Sequence, residues 1–293
     1  MPECHDTPDA AAVREMFTGV APRYDLLNRL LSADLDRRWR QRAAAVALPR
    51  PSPDPPSPLR EQGGTSGGRA RFGARESSAP ERPRDLTIAA RAAPRETPRP
   101  LVVDVCTGTG DLAVAVLRRW RRARVVACDV CRPMLARAQA KLAGAGLARR
   151  SAVLEADALA LPLADGAADA ACCAFGVRNL ADEDRGVREM VRLVRPGGRV
   201  VILEFHRPRR HGLLAGIFSL YFRRILPRLG GWISGGRHGG YAYLVRSIQG
   251  FGPPGRLADT MRRTGLADVR AAPLPGGVAS LYVGERRERQ RPG

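Results

Sequence analysis

Leu101 to Asp111 read LVVDVCTGTGD, and this stretch decides the fold. Its first six residues, 101–106, are mostly apolar and have the length and composition of a buried strand. Gly108 and Gly110 then allow a tight turn, and a helix is predicted from Asp111 to about Arg121. A buried strand that passes through a glycine turn into a helix is typical of α/β proteins with a parallel sheet.

The alternation of strands and helices continues towards the end of the chain. Strands are predicted at 101–106, 124–129, 152–155, 169–175 and 199–205, and a terminal pair at 269–272 and 278–284. Helices are predicted between them at 133–143, 183–194 and 257–264. This order predicts an α/β fold with a doubly wound, mostly parallel seven-stranded sheet, preceded by N-terminal helices and closed by an antiparallel hairpin.

Composition divides the chain into five parts. Residues 13–48 have helical periodicity and predict an N-terminal helical cap, with Ser32 as the N-cap of its last helix. Residues 49–100 contain eleven prolines, ten arginines and five glycines. Such a segment buries too little apolar surface to offset its ordering entropy, so we predict a disordered insert. The sheet domain occupies 101–285, and disordered tails are predicted at 1–12 and 286–293.

Length and cysteine usage exclude several classes of protein. The chain has 293 residues and six cysteines, which are too few for a disulfide scaffold and favour a reducing compartment. No apolar run reaches the roughly 18 residues that a membrane-spanning helix needs. Residues 1–12 lack the apolar core of a secretory signal. We therefore expect a cytoplasmic protein.

The charge is strongly positive. There are 49 basic and 29 acidic residues, a net charge of +20, and Lys141 is the only lysine. Residues 205–258 contain nine arginines and no acid. A surface of one sign over that length attracts phosphate groups, whether of nucleic acid or of anionic lipid.

Polar residues follow the carboxyl ends of the first three predicted strands, where parallel sheets bind ligands. Asp104 precedes the loop Gly108-Thr109-Gly110, whose glycines let the backbone approach a ligand. Asp129 ends the second strand and is placed to accept both hydroxyls of a ribose. Asp157 and Ala158 follow the third strand, where a carboxylate can accept from an adenine amino group. Together these residues predict an adenosine site.

Two other interpretations of the glycine loop stay open on the residues alone. Gly108, Gly110 and Ala113 with Asp129 also match a dinucleotide-binding pattern, and the loop could be a purely structural turn. Asp111 argues against a dinucleotide, because its carboxylate would face the pyrophosphate. S-adenosylmethionine instead carries a sulfonium and an ammonium, which carboxylates attract. We therefore favour S-adenosylmethionine.

Several longer stretches resemble one family, the C-methyltransferases of menaquinone and ubiquinone synthesis, which are class I S-adenosylmethionine-dependent methyltransferases. The stretches are FTGVAPRYDLLNRLLSADLDRRWR (17–40), VDVCTGTGDL (103–112), FGVRNL (175–180), LVRPGGRVVILE (193–204) and YFRRIL (221–226). The resemblance implies a Rossmann-like methyltransferase domain at 101–285 and cofactor contacts at Thr109, Asp129, Asp157 and Ala158. The insert at 49–100 is atypical of the family, and so are Ala174 and His206, where members often carry serine.

The resemblance implies methylation of a polyprenylated demethylquinol on a ring carbon. Demethylmenaquinol is the favoured substrate, and a benzoquinol of ubiquinone synthesis is the alternative. A ring carbon becomes nucleophilic when a neighbouring hydroxyl loses its proton. We expect Arg178 to stabilise the phenolate and Asn179 to orient the substrate or a water molecule.

Tyr24, Asp25 and Phe175 are predicted to complete the substrate pocket. We expect no metal: Cys128-x-x-Cys131 lacks a second ligand pair, and Cys172-Cys173 lies within a strand, so both pairs are assigned to packing.

The basic segment suggests where the substrate comes from. Residues 212–222 are apolar, too short to span a bilayer, and flanked by arginines. Such an element can rest among anionic headgroups, so we expect peripheral contact with the inner face of the cell membrane. A buried helix lining the pocket is the alternative. An RNA methyltransferase or RNA-binding module is the alternative of another class, but the segment lacks interleaved aromatic and basic residues, so no nucleic-acid partner is expected. A homo-oligomer is left open.

Overall fold

The structure is a computed structural model that describes residues 10–32, 34–49, 99–206, 247 and 250–287. The rest of the chain lies outside the described residues. Four predictions therefore fall largely or wholly outside them: the tail at 1–12, the insert at 49–100, the apolar stretch at 212–222 within the basic segment, and the tail at 286–293. These remain predictions.

In the described residues, seven strands form one sheet. They are β1 (Leu101–Val105), β2 (Arg124–Asp129), β3 (Ser151–Glu155), β4 (Ala168–Ala174), β5 (Val194–Phe205), β6 (Leu266–Pro273) and β7 (Ala279–Arg286). The order in the sheet is β3-β2-β1-β4-β5-β7-β6. The first five strands are parallel, and β7 is antiparallel to both β5 and β6. The predicted fold class is confirmed.

Helices precede the sheet and alternate with its strands. In the described residues they are α1 (Ala10–Val20), α2 (Tyr24–Ser32), α3 (Leu35–Ala47), α4 (Asp111–Arg119), α5 (Arg132–Gly144), α6 (Glu183–Leu193) and α7 (Pro254–Arg263). A 3₁₀ turn at Ala21–Arg23, which contains Pro22, separates α1 from α2. Asp34, and not Ser32, occupies the N-cap position of α3. Ser32 nevertheless accepts a hydrogen bond from the Asp36 backbone at 3.2 Å.

Successive side chains of the central strand face two separate cores. Val102 packs with residues of α3 and α4, whereas Val103 and Val105 pack with residues of α6 and α7. This is the two-sided burial expected of a parallel sheet whose strands are continuously apolar.

One strand begins earlier than its sequence suggests. Pro196-Gly197-Gly198 predicts a break before β5, yet β5 begins at Val194, directly after α6. Val194 pairs with Ala168, and the pairing resumes two positions along β4, where Ala170 pairs with Arg199. The intervening residues are accommodated as an irregularity in β5, as in a bulge.

The strand order fixes where a ligand can bind. Because β1 lies between β2 and β4, the loops after β1 and β4 diverge at one edge of the sheet. Such a switch point opens a crevice beyond the carboxyl ends of the strands.

Candidate active site

The loop after β1 turns sharply on three residues with positive φ: Cys106 (54°), Gly108 (56°) and Gly110 (83°). A Cβ on Gly110 would lie 3.0 Å from the Cβ of Ala138, so this glycine permits the close approach of α5. A Cβ on Gly108 would lie 3.6 Å from a ring carbon of Tyr24. The N-terminal helices therefore reach the glycine loop.

Asp129, at the end of β2, is held in place by backbone amides. Its Oδ2 accepts a hydrogen bond from Gly108 N at 2.8 Å, and its Oδ1 accepts from Cys131 N at 2.9 Å. Burial raises the pKa of Asp129, while these backbone hydrogen bonds lower it. Each oxygen retains a second lone pair, so the carboxylate can still accept from ribose hydroxyls.

A cavity of about 270 Å³ opens beside Asp129. Four predicted site residues lie in its wall: Asp129, Asp157, Ala158 and Asn179. Helix α1 lines another side through Ala11, Val13 and Arg14. Among the described residues, 107–110 do not line this wall. The glycine loop therefore lies beside the cavity.

Asp104 is a buried carboxylate behind the glycine loop. It is 1% exposed, and its Oδ2 accepts a hydrogen bond from Thr107 Oγ1 at 2.6 Å. Burial raises its pKa to about 7, although the Thr107 hydroxyl and the Ala113 backbone lower it. Its Oδ1 has no hydrogen-bond partner among the described residues. Asp104 is not among the residues that line the cavity.

Thr109 and Asp25 belong to one polar network. Thr109 Oγ1 donates to Asp25 Oδ1 at 2.5 Å, and Lys141 Nζ donates to Asp25 Oδ2 at 2.8 Å. The same ammonium reaches Asp111 Oδ1 at 2.5 Å. Burial alone would raise the pKa of Asp25, but hydrogen bonds from Lys141 and Thr109 bring its pKa below the ordinary value. The network joins α2 to α4 and α5.

The loop after β4 is built around a buried ion pair. Arg178 Nη1 donates to Glu204 Oε1 at 2.5 Å and to the Phe175 carbonyl at 2.6 Å. The two side chains are 3% and 0% exposed. The Arg178 backbone N also donates to Glu204 Oε2, at 3.2 Å. Within the described part of the chain, Arg178 Nε is buried without a hydrogen-bond partner.

Two arginines and two aromatic rings form a layered column beside this loop. The Phe175 and Phe205 rings stack with their centroids 4.4 Å apart. The Arg40 guanidinium lies over Phe175 at 5.2 Å, and that of Arg178 lies over Phe205 at 5.4 Å. Asp36 pairs with Arg40 as Glu204 pairs with Arg178. Phe175 adopts a positive φ of 63°, so backbone strain is held here by the surrounding packing.

Tyr24 lies where the two loops and the helical cap converge. Burial raises the pKa of its phenol; the positive charges of Arg178 and Arg40 lower it, and the negative charge of Asp129 raises it. The structure thus brings Tyr24 near both Arg178 and Asp129. Asn179 donates to the Phe175 carbonyl at 3.3 Å and also lines the cavity.

The cysteines near the site are buried or partly buried and free. Burial raises the pKa of Cys128 to about 12. The pKa of Cys106 is raised well above its ordinary value by its contact with Cys173 and by burial. Cysteines of this kind are neutral thiols and therefore poor nucleophiles and metal ligands.

Sequence reasoning missed three charged residues at this site: Glu204, Arg40 and Lys141. Glu204 stands within the apolar run VVILEF, and a charge in a buried strand must have a partner, so a signal was present. Arg40 ends the stretch 17–40 that carried the family resemblance. Lys141 is distinguished only by being the one lysine of the chain.

Comparison with known proteins gives consistent matches. Residues 84–286 match the model of the ubiE/COQ5 methyltransferase family. A demethylmenaquinone methyltransferase of Thermus thermophilus is 41% identical over 271 residues, which cover 92% of this chain and 100% of that protein. One of Deinococcus radiodurans is 39% identical over 276 residues, covering 94% and 93%. Among solved structures, an O-methyltransferase family protein from Burkholderia thailandensis matches with a TM-score of 0.48 and 21% identity, over 65% of this chain and 52% of that one.

Proposed function

We propose a reaction on the premise that this chain belongs to the ubiE/COQ5 methyltransferase family and is an S-adenosylmethionine-dependent methyltransferase. The reaction is C-methylation of a polyprenylated demethylquinol, namely demethylmenaquinol to menaquinol. One observation carries the proposal: a nucleoside-sized cavity and a buried arginine lie next to each other at the switch point of the sheet. A methyl donor and a ring hydroxyl need these two environments side by side.

The donor set fits S-adenosylmethionine. Asp129 would bind the ribose hydroxyls, and Asp157 with Ala158 would meet the adenine, since all three line the cavity. The unpartnered Oδ1 of Asp104 suits the positive charge of the cofactor. When bound, the cofactor supplies an electrophilic methyl group on its sulfonium.

The arginine of the second loop has the chemistry that the acceptor requires. A guanidinium is too basic to take the proton of a quinol hydroxyl, but it stabilises the phenolate that remains. Glu204 and the Phe175 carbonyl occupy Nη1, which fixes the guanidinium in place. The buried Nε–H is the donor that we assign to the quinol oxygen. Asn179, on the cavity wall, would orient the ring relative to the cofactor.

The helical cap completes the proposed substrate pocket. We assign the direct contact with the substrate to Tyr24, because its ring lies over Gly108 and the positive charge of Arg178 lowers the pKa of its phenol. Asp25 acts through Thr109 and Lys141, to which it is bonded. Phe175 serves as a wall, since it is buried and stacked on Phe205.

A prenyl-tailed substrate resides in a membrane, and peripheral contact with an anionic membrane surface is the proposed route to it. No helix in the described ranges is long and apolar enough to cross a bilayer. The nine arginines of residues 205–258 supply positive charge for such contact.

A transfer assay with a labelled methyl donor tests the proposal. Demethylmenaquinol, the corresponding demethylbenzoquinol and an unmodified RNA are offered separately, each under reducing conditions. We expect incorporation into a ring carbon of demethylmenaquinol, with a higher kcat/KM than for the benzoquinol. Preferential labelling of the benzoquinol would overturn the substrate, and labelling of RNA alone would overturn the reaction class.

A further inference from the structure

Lys141 is exceptional in this chain. The other 48 of its 49 basic residues are arginine, and this one lysine lies at the candidate active site. We propose that Lys141 is a positioning residue: its ammonium holds Asp25 and Thr109 so that the N-terminal helices close over bound S-adenosylmethionine. The inference rests on the proposed cofactor site and adds a residue to it.

The geometry matches an ammonium group. Nζ has three hydrogens, and three oxygens surround it: Asp111 Oδ1 at 2.5 Å, Asp25 Oδ2 at 2.8 Å and Thr109 Oγ1 at 3.1 Å. Every donor therefore has an acceptor. The acceptors come from α2, from the glycine loop and from the first residue of α4.

A guanidinium does not fit the same three acceptors. Its five N–H groups lie in one plane, whereas three oxygens around a single nitrogen require a compact, tetrahedral donor. Arginine is used at every other basic position of this chain. The exception stands where the geometry favours lysine.

The network controls how the helical cap meets the cavity. Helix α1 lines the cavity, and Tyr24 at the start of α2 lies over Gly108. Asp25 is the next residue of α2, and its bonds to Lys141 and Thr109 tie that helix to the glycine loop. Without the ammonium, the carboxylates of Asp25 and Asp111 would face each other uncompensated. Their repulsion would push α2 away from the cofactor.

The test compares Lys141→Met, Lys141→Arg and Asp25→Asn with Arg137→Met, which removes an exposed charge from the same helix. We expect Lys141→Met to raise the KM and Kd for S-adenosylmethionine about tenfold, as for loss of a charge-assisted hydrogen bond. The kcat at saturating cofactor should change less than about twofold. Lys141→Arg should recover only part of the affinity, and Arg137→Met should match the wild type.

Two further readouts separate positioning from general stabilisation. S-adenosylhomocysteine should protect residues 14–42 of the wild type from trypsin, and Lys141→Met should lose that protection at a concentration that saturates the wild type. Because both side chains act in one network, the double variant Lys141→Met/Asp25→Asn should bind the cofactor no more weakly than Lys141→Met alone.

Three outcomes would overturn the inference. One is a wild-type KM for the cofactor in Lys141→Met; another is full activity with normal protection in Lys141→Arg. If Lys141→Met does not fold, Asp25→Asn decides, and an unchanged cofactor affinity in that variant would count against the proposal. A wild type that does not bind S-adenosylmethionine would overturn the proposed function as well, whereas an active wild type with an indifferent Lys141 would leave that function standing.

Discussion

The loops after β1 and β4 open at the same edge of the sheet but are constructed differently. Around the first, residues 106–110, the charged side chains are partly exposed: Asp129 accepts a hydrogen bond from Gly108 N, and Asp25 and Asp111, 30% and 33% exposed, pair with Lys141. The second, residues 175–179, places Arg178 against Glu204 among stacked rings, with both charges buried. The first loop keeps acceptors available for a charged ligand that enters and leaves. The second holds one positive charge in a fixed position that is shielded from water.

The difference in burial sets how much each loop depends on its charges. Ion pairs near the surface are worth little, because water screens them. A buried pair is costly to break, because the surviving charge stays out of water without compensation. Breaking the buried pair of the second loop should therefore strongly lower the free energy of unfolding. Substitutions around the first loop should mainly weaken ligand binding.

The largest expected effect is on stability, from Glu204→Gln. The substitution keeps the shape but leaves the Arg178 charge buried without its counter-ion, and breaking such a pair costs about 3–5 kcal/mol. Urea unfolding at pH 7 measures the loss. Asp259→Asn is the matched control, since Asp259 pairs with Arg262 on the surface and its removal should cost less than about 1 kcal/mol. Equal losses in the two variants would show that burial does not separate the pairs.

The next effect is on turnover, from Arg178→Ala. Loss of one well-placed electrostatic donor typically lowers the rate about 10²–10³-fold. Turnover should fall in the order wild type, Arg178→Lys, Arg178→Ala, with recovery at high pH, where the quinol ionises unaided. Rates are divided by the fraction of folded protein. That fraction is determined from cofactor binding at a temperature below the melting temperature. If weaker cofactor binding explained the whole loss of rate, Arg178 would be assigned to cofactor binding and not to stabilisation of the phenolate.

A smaller effect is expected beside the first loop, from Asp129→Ala. The variant loses the acceptor for the ribose hydroxyls, and calorimetry should show S-adenosylmethionine binding weakened by about 1–3 kcal/mol. Glu155→Ala is the control, since Glu155 ends the neighbouring strand β3 and is exposed. Equal affinity in Asp129→Ala and the wild type, or tight NADH binding, would contradict the assignment.

The fold was predictable from sequence because its signals are local. Strand β2 has its predicted ends, since a short apolar run between turn residues is sufficient to mark it. The predicted start of β5 was wrong. Pro196-Gly197-Gly198 indicates a break from local sequence, whereas the start of the strand is determined by the pairing of Val194 with Ala168. That pairing joins residues 26 positions apart, which periodicity does not report.

The site was predictable where topology sufficed. Asp129, Asp157 and Ala158 line one cavity because parallel strands end at one edge. The charged residues that pack around the second loop were not predictable in this way: Glu204 meets Arg178 only because β5 lies beside β4, and Arg40, which packs on Phe175, comes from a helix outside the sheet domain. Which residues touch the ligands stays a prediction.

The smallest expected effect is the pH dependence of cofactor affinity, which tests the first loop through Asp104. Burial raises the pKa of this carboxyl to about 7 in the free protein. A bound cation favours the ionised form, so binding lowers the pKa and releases a proton near neutral pH. If only the ionised form binds tightly, the Kd for S-adenosylmethionine should rise about tenfold, ~1.4 kcal/mol, from pH 8 to pH 6.

Calorimetry in buffers of different ionisation enthalpy measures both the affinity and the released proton. Asp104→Asn should bind weakly at every pH and release fewer protons, while ionisation of the ligand itself is common to both proteins. The stability of the folded state should move in the opposite direction. A carboxyl whose pKa is raised by folding favours the native state at low pH and loses that contribution as pH rises towards 7, so the unliganded wild type should lose stability over that range relative to Asp104→Asn. Parallel pH profiles for the two proteins would mean that the charge of Asp104 is not coupled to the cofactor, and that the first loop binds its ligand through Asp129 and the cavity wall.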